Sequence, residues 1–276
     1  MNPDLHCHSV VSDGTMRPGD VARRAAANGV SLWTLTDHDS VQGLDEARDA
    51  ALAAGMRFLN GVEISVSWNF QTIHIVGLNI DPQYAELVRG LARVRHSRRM
   101  RAAKIADQLA GAGIDNSLEG AYAFAANPDL VGRTHFARFL VAKGYARHFS
   151  DVFQRYMTPG RTGWVAHQWA NLDEAVAWIR ASGGVAVLAH PGRYKLSREQ
   201  LVRLIIEFKT CGGGAIEVVT ASHSIDQTND FALLCRAHGL FASRGSDFHS
   251  PEEARFDLGL LPALPATVTP VWTQFG

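Results

Sequence analysis

The sequence predicts an α/β protein with a helical segment inserted near its middle. Three observations carry this prediction: seven apolar runs of strand length recur along the chain, amphipathic stretches separate most of them, and between about Asp81 and Trp164 the pattern is helical throughout. Strand alternating with helix at this spacing implies a parallel sheet, either open and doubly wound or closed into a barrel. A chain of 276 residues suffices for one such domain with an insertion, and it can bury a sizeable core without disulfide staples.

The elements follow in order. Asp4–Ser9 reads as the first strand, and a helix then starts at Pro18, suited to a first helical turn, and closes at Asn28-Gly29. Leu32–Thr36, Arg57–Asn60 and Thr72–Gly77 are the next strands. The insertion holds helices near Gln83–Ala112, Ser117–Asn127, Arg133–Lys143 and Ser150–Met157, separated by turns containing Gly, Asn and Pro. A helix from the N-cap Asn171 to Ser182-Gly183-Gly184 leads into strands Val185–Ala189, Ala215–Val219 and Ala242–Ser246. No period of 20 to 50 residues recurs, which excludes solenoids and propellers.

Lys and Arg balance Asp and Glu at 27 each, which at first argues against an anionic partner. Resolved along the chain, the balance is a cancellation. Residues 81–165 carry 13 basic and 7 acidic residues, a net +6, and the remainder carries −6 together with 9 of the 12 His. A carboxylate- and imidazole-rich core under a basic lid suits metals plus an anionic substrate. Cys7, Cys211 and Cys235 form no CxxC pair, the N-terminus MNPDLHCHS lacks the features of a signal peptide, and no apolar run of about 18 residues occurs. A cytoplasmic protein with no membrane partner is expected.

The strongest local signal is His6-Cys7-His8. Strand side chains alternate, so His6 and His8 share one face and can share one metal, while Cys7 points away. In isolation the pair is equally compatible with two ordinary hydrogen-bonded histidines. It is not isolated. Ser12-Asp13-Gly14-Thr15 follows, the second strand ends in Thr36-Asp37-His38-Asp39, Glu63 follows the third strand, and His74 lies on the fourth. Later strands end in Ala189-His190-Pro191-Gly192 and in Gly245-Ser246-Asp247-Phe248-His249, where Asp247 and His249 again share a face. Carboxylates and imidazoles thus collect at the C-terminal ends of strands, the edge at which parallel α/β folds build active sites. Mixed N and O donors suit Mn²⁺, Zn²⁺ or Fe²⁺ better than Mg²⁺.

The motifs HCHSVVSDG, TDHDS, the Glu63 strand, His74, HPG and SDFH, spanning residues 6–249, resemble the polymerase and histidinol phosphatase (PHP) family of metal-dependent phosphoesterases. The resemblance implies a distorted seven-stranded (β/α) barrel formed by residues 1–80 and 165–276, with residues 81–164 as an all-helical cap over the substrate. It also implies up to three metal ions; with the donor set above, two or three divalent ions are expected, Mn²⁺ foremost with Zn²⁺ or Fe²⁺ as alternatives. By that resemblance His6, His8, Glu63 and Asp247 hold one ion, Glu63, His74 and His190 a second, and Asp13, His38 and His249 a third. The last three also position the reacting groups. The mid-chain insertion is most similar to the branch of 3′,5′-nucleoside bisphosphate phosphatases, which implies removal of the 3′-phosphate from substrates such as adenosine 3′,5′-bisphosphate. Alternatives are a 5′→3′ exoribonuclease acting on short 5′-phosphorylated RNA, a histidinol phosphatase, and a metal-binding regulatory module without turnover. Nine ligand-type residues weigh against the last, because a structural site needs only four.

The basic run Arg93–Arg101 has too many cations for one helix face. At 100° per residue Arg93, Arg101 and Lys104 fall within about 80° of one another, with Arg95, Arg98 and Arg99 on the far side, so one set can face the site and the other water. Arg99, with Arg133 and Thr134 at the start of the next helix, is expected to grip the phosphate that is not cleaved. Arg193 after the HPG turn, and Ser222 and His223 after the sixth strand, are further candidates for contact with a small nucleotide substrate. Trp68 and Phe70 are read as core or loop-packing residues rather than as a base platform. The sequence leaves the base preference and oligomeric state open.

Overall fold

The computed structural model describes residues 1–275. Its strands are β1 (Pro3–Asp4), β2 (Leu32–Leu35), β3 (Arg57–Trp68), β4 (Gln71–Leu78), β5 (Ala170–Asn171), β6 (Val185–Leu188), β7 (Ala215–Thr220) and β8 (Phe241–Gly245). They pair in the order β1-β2-β3-β4-β6-β7-β8, and the two-residue β5 lies beside the far end of β3. Beyond the regular strands, Leu5 N–H donates to Arg244 O at 3.0 Å, Asp247 N–H to His6 O at 2.7 Å and His8 N–H to Phe248 O at 2.8 Å. These bonds bring the two edges of the sheet together, and the result is a nearly closed barrel of seven mixed strands surrounded by helices.

Two features depart from the sequence reading. The first strand keeps a regular ladder only over Pro3–Asp4: the Cys7 N–H donates to the side-chain Oγ1 of Thr36 instead of to main chain, while the Cys7 carbonyl accepts both the Thr36 N–H and its Oγ1–H. The second concerns the direction of β4, which is antiparallel to both β3 and β6. No helix intervenes between β3 and β4. Instead β3 runs on through the alternation Val62, Ile64, Val66, and a tight turn at Asn69-Phe70, with φ of 45° and 62°, sends the chain back as a hairpin. Glu63 therefore lies inside β3 rather than after it.

The remaining helices are α1 (Pro18–Ala27), α2 (Leu44–Ala53), α3 (Ala85–Gly111), α4 (Ser117–Tyr122), α5 (Arg133–Ala142), α6 (Phe149–Val152, continued by a π turn to Met157), α7 (Leu172–Ala181), α8 (Arg198–Thr210) and α9 (Ile225–Ala237). The outward faces of β3, β4, β6 and β7 pack with α7, α8 and α9 into one apolar layer, which Leu87 and Leu91 at the start of α3 also join. Farther along α3, Ala102, Ile105 and Leu109 belong to a separate cluster with Phe136, Leu140, Val152 and Met157. One long helix thus ties the two apolar clusters together. None of the described helices is long and apolar enough to cross a membrane.

Gly245 marks the tightest point of barrel closure. A Cβ there would sit 2.3 Å from the Cβ of His6 and 2.7 Å from its backbone nitrogen. Gly245→Ala should therefore push β8 off the His6 segment and destabilise the fold by about 1–3 kcal/mol, the usual range for overpacking. Thermal unfolding measures this; an unchanged midpoint would mean that the edge closes more loosely than described.

Candidate metal centre

The nine sequence-selected residues reach one end of the barrel from six strands or the loops that follow them. Inward parity on β3 aims Glu63 and Ser65 to the interior, and His74, paired with Ser65 on β4, joins them. Because β4 runs the other way, His74 reaches this end from the strand's early residues, not from its C-terminal end as expected. His38 continues β2 and bridges to Glu63, His190 follows β6 with φ of 27°, and Asp247 follows β8 with φ of 54°. Cys7 faces away into an apolar cluster with Trp33 and Phe248.

Glu63 is fully buried at the centre. Its Oε1 lies 2.9 Å from His74 Nδ1, 2.9 Å from His190 Nε2 and 3.3 Å from His6 Nε2, while Oε2 lies 3.0 Å from His38 Nδ1 and 3.2 Å from His8 Nε2. Asp247 Oδ1 is 3.2 Å from His8 Nε2 and 3.5 Å from His6 Nε2. Asp13 Oδ1 is 3.3 Å from His249 Nε2, and its Oδ2 is 3.9 Å from His38 Nε2. Ligand-type atoms come within 4.8 Å of one another in three groups: His6, His8, Glu63 and Asp247; His8, Asp13, His38 and His249; and His38, Glu63 and His74. His38 and His8 each stand between two groups, and His190 adjoins the third through Glu63 and His74.

The chemistry of these atoms fits divalent ions. Asp13 Oδ1, Glu63 Oε2, Asp247 Oδ2 and His38 Nδ1 are buried without a well-oriented hydrogen-bond partner, which is costly unless something else satisfies them. Burial opposes charge on Glu63, Asp13 and Asp247, yet the groups around them (imidazoles in each case, with the Arg193 guanidinium foremost at Asp247) outweigh it and hold all three well below the usual carboxylate range. Burial likewise pushes His38 down and His190 down to about 4, which leaves both neutral and able to donate a lone pair. His6 and His8 behave oppositely. Burial disfavours their charge, but Glu217, Glu63 and Asp247 raise His6 well above its ordinary value, and Asp247 and Glu63 raise His8 to about 10.

A cavity of about 470 Å³ opens over the cluster, within the common range of small-molecule sites. Of the residues expected to contact substrate, Arg133, Thr134, Arg193 and Ser222 line it. Thr134 Oγ1 is already engaged, donating to Asp13 Oδ2 at 2.9 Å, and Arg193 lies 2.5 Å from Asp247 Oδ2. His223 is not on the wall. It packs behind the HPG turn, its Nε2 accepting the Gly192 N–H at 3.1 Å and its Nδ1 meeting Val218 O at 3.1 Å, so both ring nitrogens are spent on main chain.

Arg99 is corrected in the same way. It lies outside the cavity, half exposed, and pairs with Asp129 at 2.7 Å. Arg98 and Arg101 line the cavity instead. The reason is helical phase: Leu87, Leu91, Val94, Arg98, Arg101 and Ile105 form one buried stripe of α3, and Arg99 lies off it. That stripe was readable as a run of apolar residues interrupted by two arginines. Arg98 is fixed by Asp39 Oδ2 at 2.6 Å and Ser65 Oγ at 2.7 Å. Arg101 and Arg133 have no carboxylate within ion-pair distance among the described residues; they pack over Trp164, Trp169 and Phe153. Burial, with the neighbouring guanidiniums, lowers both. Trp68 is a core residue whose Nε1 donates to Glu207, and Phe70 stands fully exposed on the hairpin tip.

Known proteins are similar to this chain over nearly its whole length. A 3′,5′-nucleoside bisphosphate phosphatase of Chromobacterium violaceum is 49% identical over 273 residues, covering 99% of this chain and 96% of the relative. The 5′-3′ exoribonuclease Rnm of Escherichia coli is 42% identical, covering 98% and 92%. The solved structure of a Chromobacterium violaceum amidohydrolase with bound sulfate and no metal matches with a TM-score of 0.96 at 48% identity, over 99% of this chain and 95% of that one. The family model for the PHP domain matches residues 4–162, a stretch that carries Glu63 with its partners His6, His8, His38 and His74 and also the helices above them, so this chain belongs to the PHP family.

Proposed function

We propose that this protein is a metal-dependent phosphomonoesterase that removes the 3′-phosphate from nucleoside 3′,5′-bisphosphates, adenosine 3′,5′-bisphosphate among them, leaving a 5′-monophosphate and phosphate. The observation that carries this reading is that one cavity is lined by two kinds of anion-binding group: the ligand cluster, and Arg101 with Arg133, which have no carboxylate partner and repel each other, on the inserted helices. Desolvated guanidiniums without carboxylates call for an anionic partner. A substrate with two phosphates meets both kinds, and the relative of 49% identity acts on that class.

In this reading His6, His8, Glu63 and Asp247 hold one ion, Glu63, His74 and His190 a second, and Asp13, His38 and His249 a third, with Mn²⁺ preferred and residues 81–164 serving as the cap. Such ions supply Lewis acidity and a water of lowered pKa when bound. The chain's own residues do the rest. Thr134 holds Asp13 in place from the cap, Asp39 and Ser65 fix Arg98 at the cavity wall, and Arg101 and Arg133 anchor the phosphate that stays. Ser222 Oγ, buried without a partner and lining the cavity, is placed to bond the nucleotide.

The exoribonuclease reading rests on the name of the 42% relative; on short 5′-phosphorylated RNA the same two kinds of group would meet a 5′-phosphate and the phosphodiester on the adjoining 3′ oxygen. Phosphate or nucleotide release from bisphosphates, 3′-monophosphates, histidinol phosphate and short 5′-phosphorylated RNA, measured side by side with the Mn²⁺-loaded protein, separates the readings. Bisphosphate should be turned over best; equal turnover of 3′-monophosphates lacking a 5′-phosphate contradicts the anchor, and preference for RNA selects the alternative.

Arg101→Ala should raise KM for the bisphosphate about 10- to 100-fold, the worth of one charge-assisted contact, with little effect on a 3′-monophosphate. Arg99→Ala should change neither. Steady-state kinetics on both substrates checks the pair, and an equal loss on both substrates in Arg101→Ala would return that residue to a structural role.

Metal binding should also release protons. His8 is held protonated up to about 10 by Asp247 and Glu63, and a ligating imidazole must be neutral, so divalent ions compete with protons there. Affinity of the demetallated protein for Mn²⁺ should therefore tighten as pH rises from 6 to 8. Calorimetry in two buffers of different ionisation enthalpy measures the release; binding independent of pH would show that the imidazoles enter already neutral.

A further inference from the structure

Glu217 is the one charged residue of β7, buried to 1% exposure beneath the cluster, and it belongs to none of the three ligand groups. Both of its oxygens are committed. Oε1 lies 2.7 Å from His6 Nδ1, and Oε2 accepts the backbone N–H of His190 at 2.5 Å. The pairing of β7 with β8 shifts register between Glu217 and Val219, the kind of local irregularity that re-aims a strand side chain.

The consequence for His6 follows from hydrogen-bond roles. An ionised carboxylate only accepts, so the Nδ1 facing it must carry the proton. That leaves His6 Nε2, which faces Glu63 Oε1 at 3.3 Å and Asp247 Oδ1 at 3.5 Å, as the nitrogen available to a metal. His190 adopts φ of 27°, sparsely populated for a residue with a side chain, and Glu217 holds the main chain there. His8, the other half of the His-Cys-His motif, faces a weaker arrangement: its Nδ1 is 3.4 Å from Ser12 Oγ, which donates to Asp37 at 2.5 Å.

We propose that Glu217 is a positioning residue that sets the tautomer of His6 and pins the His190 loop, so that one carboxylate outside the ligand set organises ligands of two neighbouring ions. This rests on the metal-centre reading above. Glu217→Gln keeps the shape but offers one acceptor for two donors, so either His6 Nδ1–H or His190 N–H loses its partner.

The test is Mn²⁺ titration of demetallated wild type and E217Q, followed by the electron paramagnetic resonance of the free ion, with thermal unfolding of both proteins alongside. E217Q should bind Mn²⁺ about 10- to 100-fold more weakly, as supporting carboxylates of this kind do when lost. Wild-type protein loaded with Zn²⁺ gives a second reading: ¹⁵N resonances of the imidazoles should show His6 bound through Nε2 and protonated on Nδ1. This holds the proposal to account even if E217Q does not fold. Equal Mn²⁺ affinity, a lowered thermal midpoint without a change in affinity, or His6 ligating through Nδ1 would each overturn the role of Glu217 and leave the metal centre standing. Failure of wild type to bind Mn²⁺ would overturn the metal centre itself, and the inference with it.

Discussion

The structure depends on a single buried carboxylate. Glu63 has no contact with solvent to lean on, and five imidazoles converge on its two oxygens from strands on both sides. A carboxylate removed from water costs several kcal/mol unless it is fully compensated. The barrel supplies that compensation only if the ends of β1, β2, β4 and β6 all arrive at one place. Barrel closure brings His6 and His8 there, the hairpin brings His74 round, and the positive φ at His190 and Asp247 turns the chain at the same end. The carboxylates around His6 and His8 favour protons on both imidazoles, which supply part of the compensating charge.

The second organising constraint is the division of charge between the barrel and the helices inserted in its chain. The helices between Ala85 and Met157 dock onto the barrel through pairs that match this division: Arg98 with Asp39, Arg138 with Glu253, Arg93 with Glu174, and Thr134 with Asp13. Two of these reach residues at or beside the ligand cluster. These helices are thus attached to the barrel beside the ligand cluster, and among the arginines that line the cavity Arg101 and Arg133 have no carboxylate within ion-pair distance among the described residues.

Much of this was legible in the sequence because the signals are local. Period-two logic placed His6 with His8 and Cys7 apart from them, and all seven strand regions and the four helical stretches of the insertion were readable from apolar period and punctuation. What escaped was non-local. The direction of β4 depends on a two-residue turn at Asn69-Phe70, whose residues both take left-handed φ without a glycine to announce it. Arg99 was preferred over Arg98 and Arg101 because a cluster of cations was read for its charge, when the apolar stripe from Leu87 to Leu109 sets which face is buried. His223 looked like a cavity residue by its position after a strand, but its ring is consumed by main-chain partners that no motif encodes. Glu217 did leave a trace, a lone carboxylate in the otherwise apolar or hydroxyl-bearing strand Ala215–Thr220; its partners, 211 residues away at His6 and 27 away at His190, were beyond the reach of any pattern.

In the proposed reading the Glu63 cluster is a centre for divalent ions shared between neighbouring sites. The most direct measurement is an anomalous difference map from crystals grown with Mn²⁺. Two or three peaks are expected at the end of the barrel, two of them flanking Glu63, with His6, His8 and Asp247 around one and His74 and His190 around the other. A map with no peak beside Glu63, or with Mn²⁺ bound only elsewhere on the protein, would contradict it.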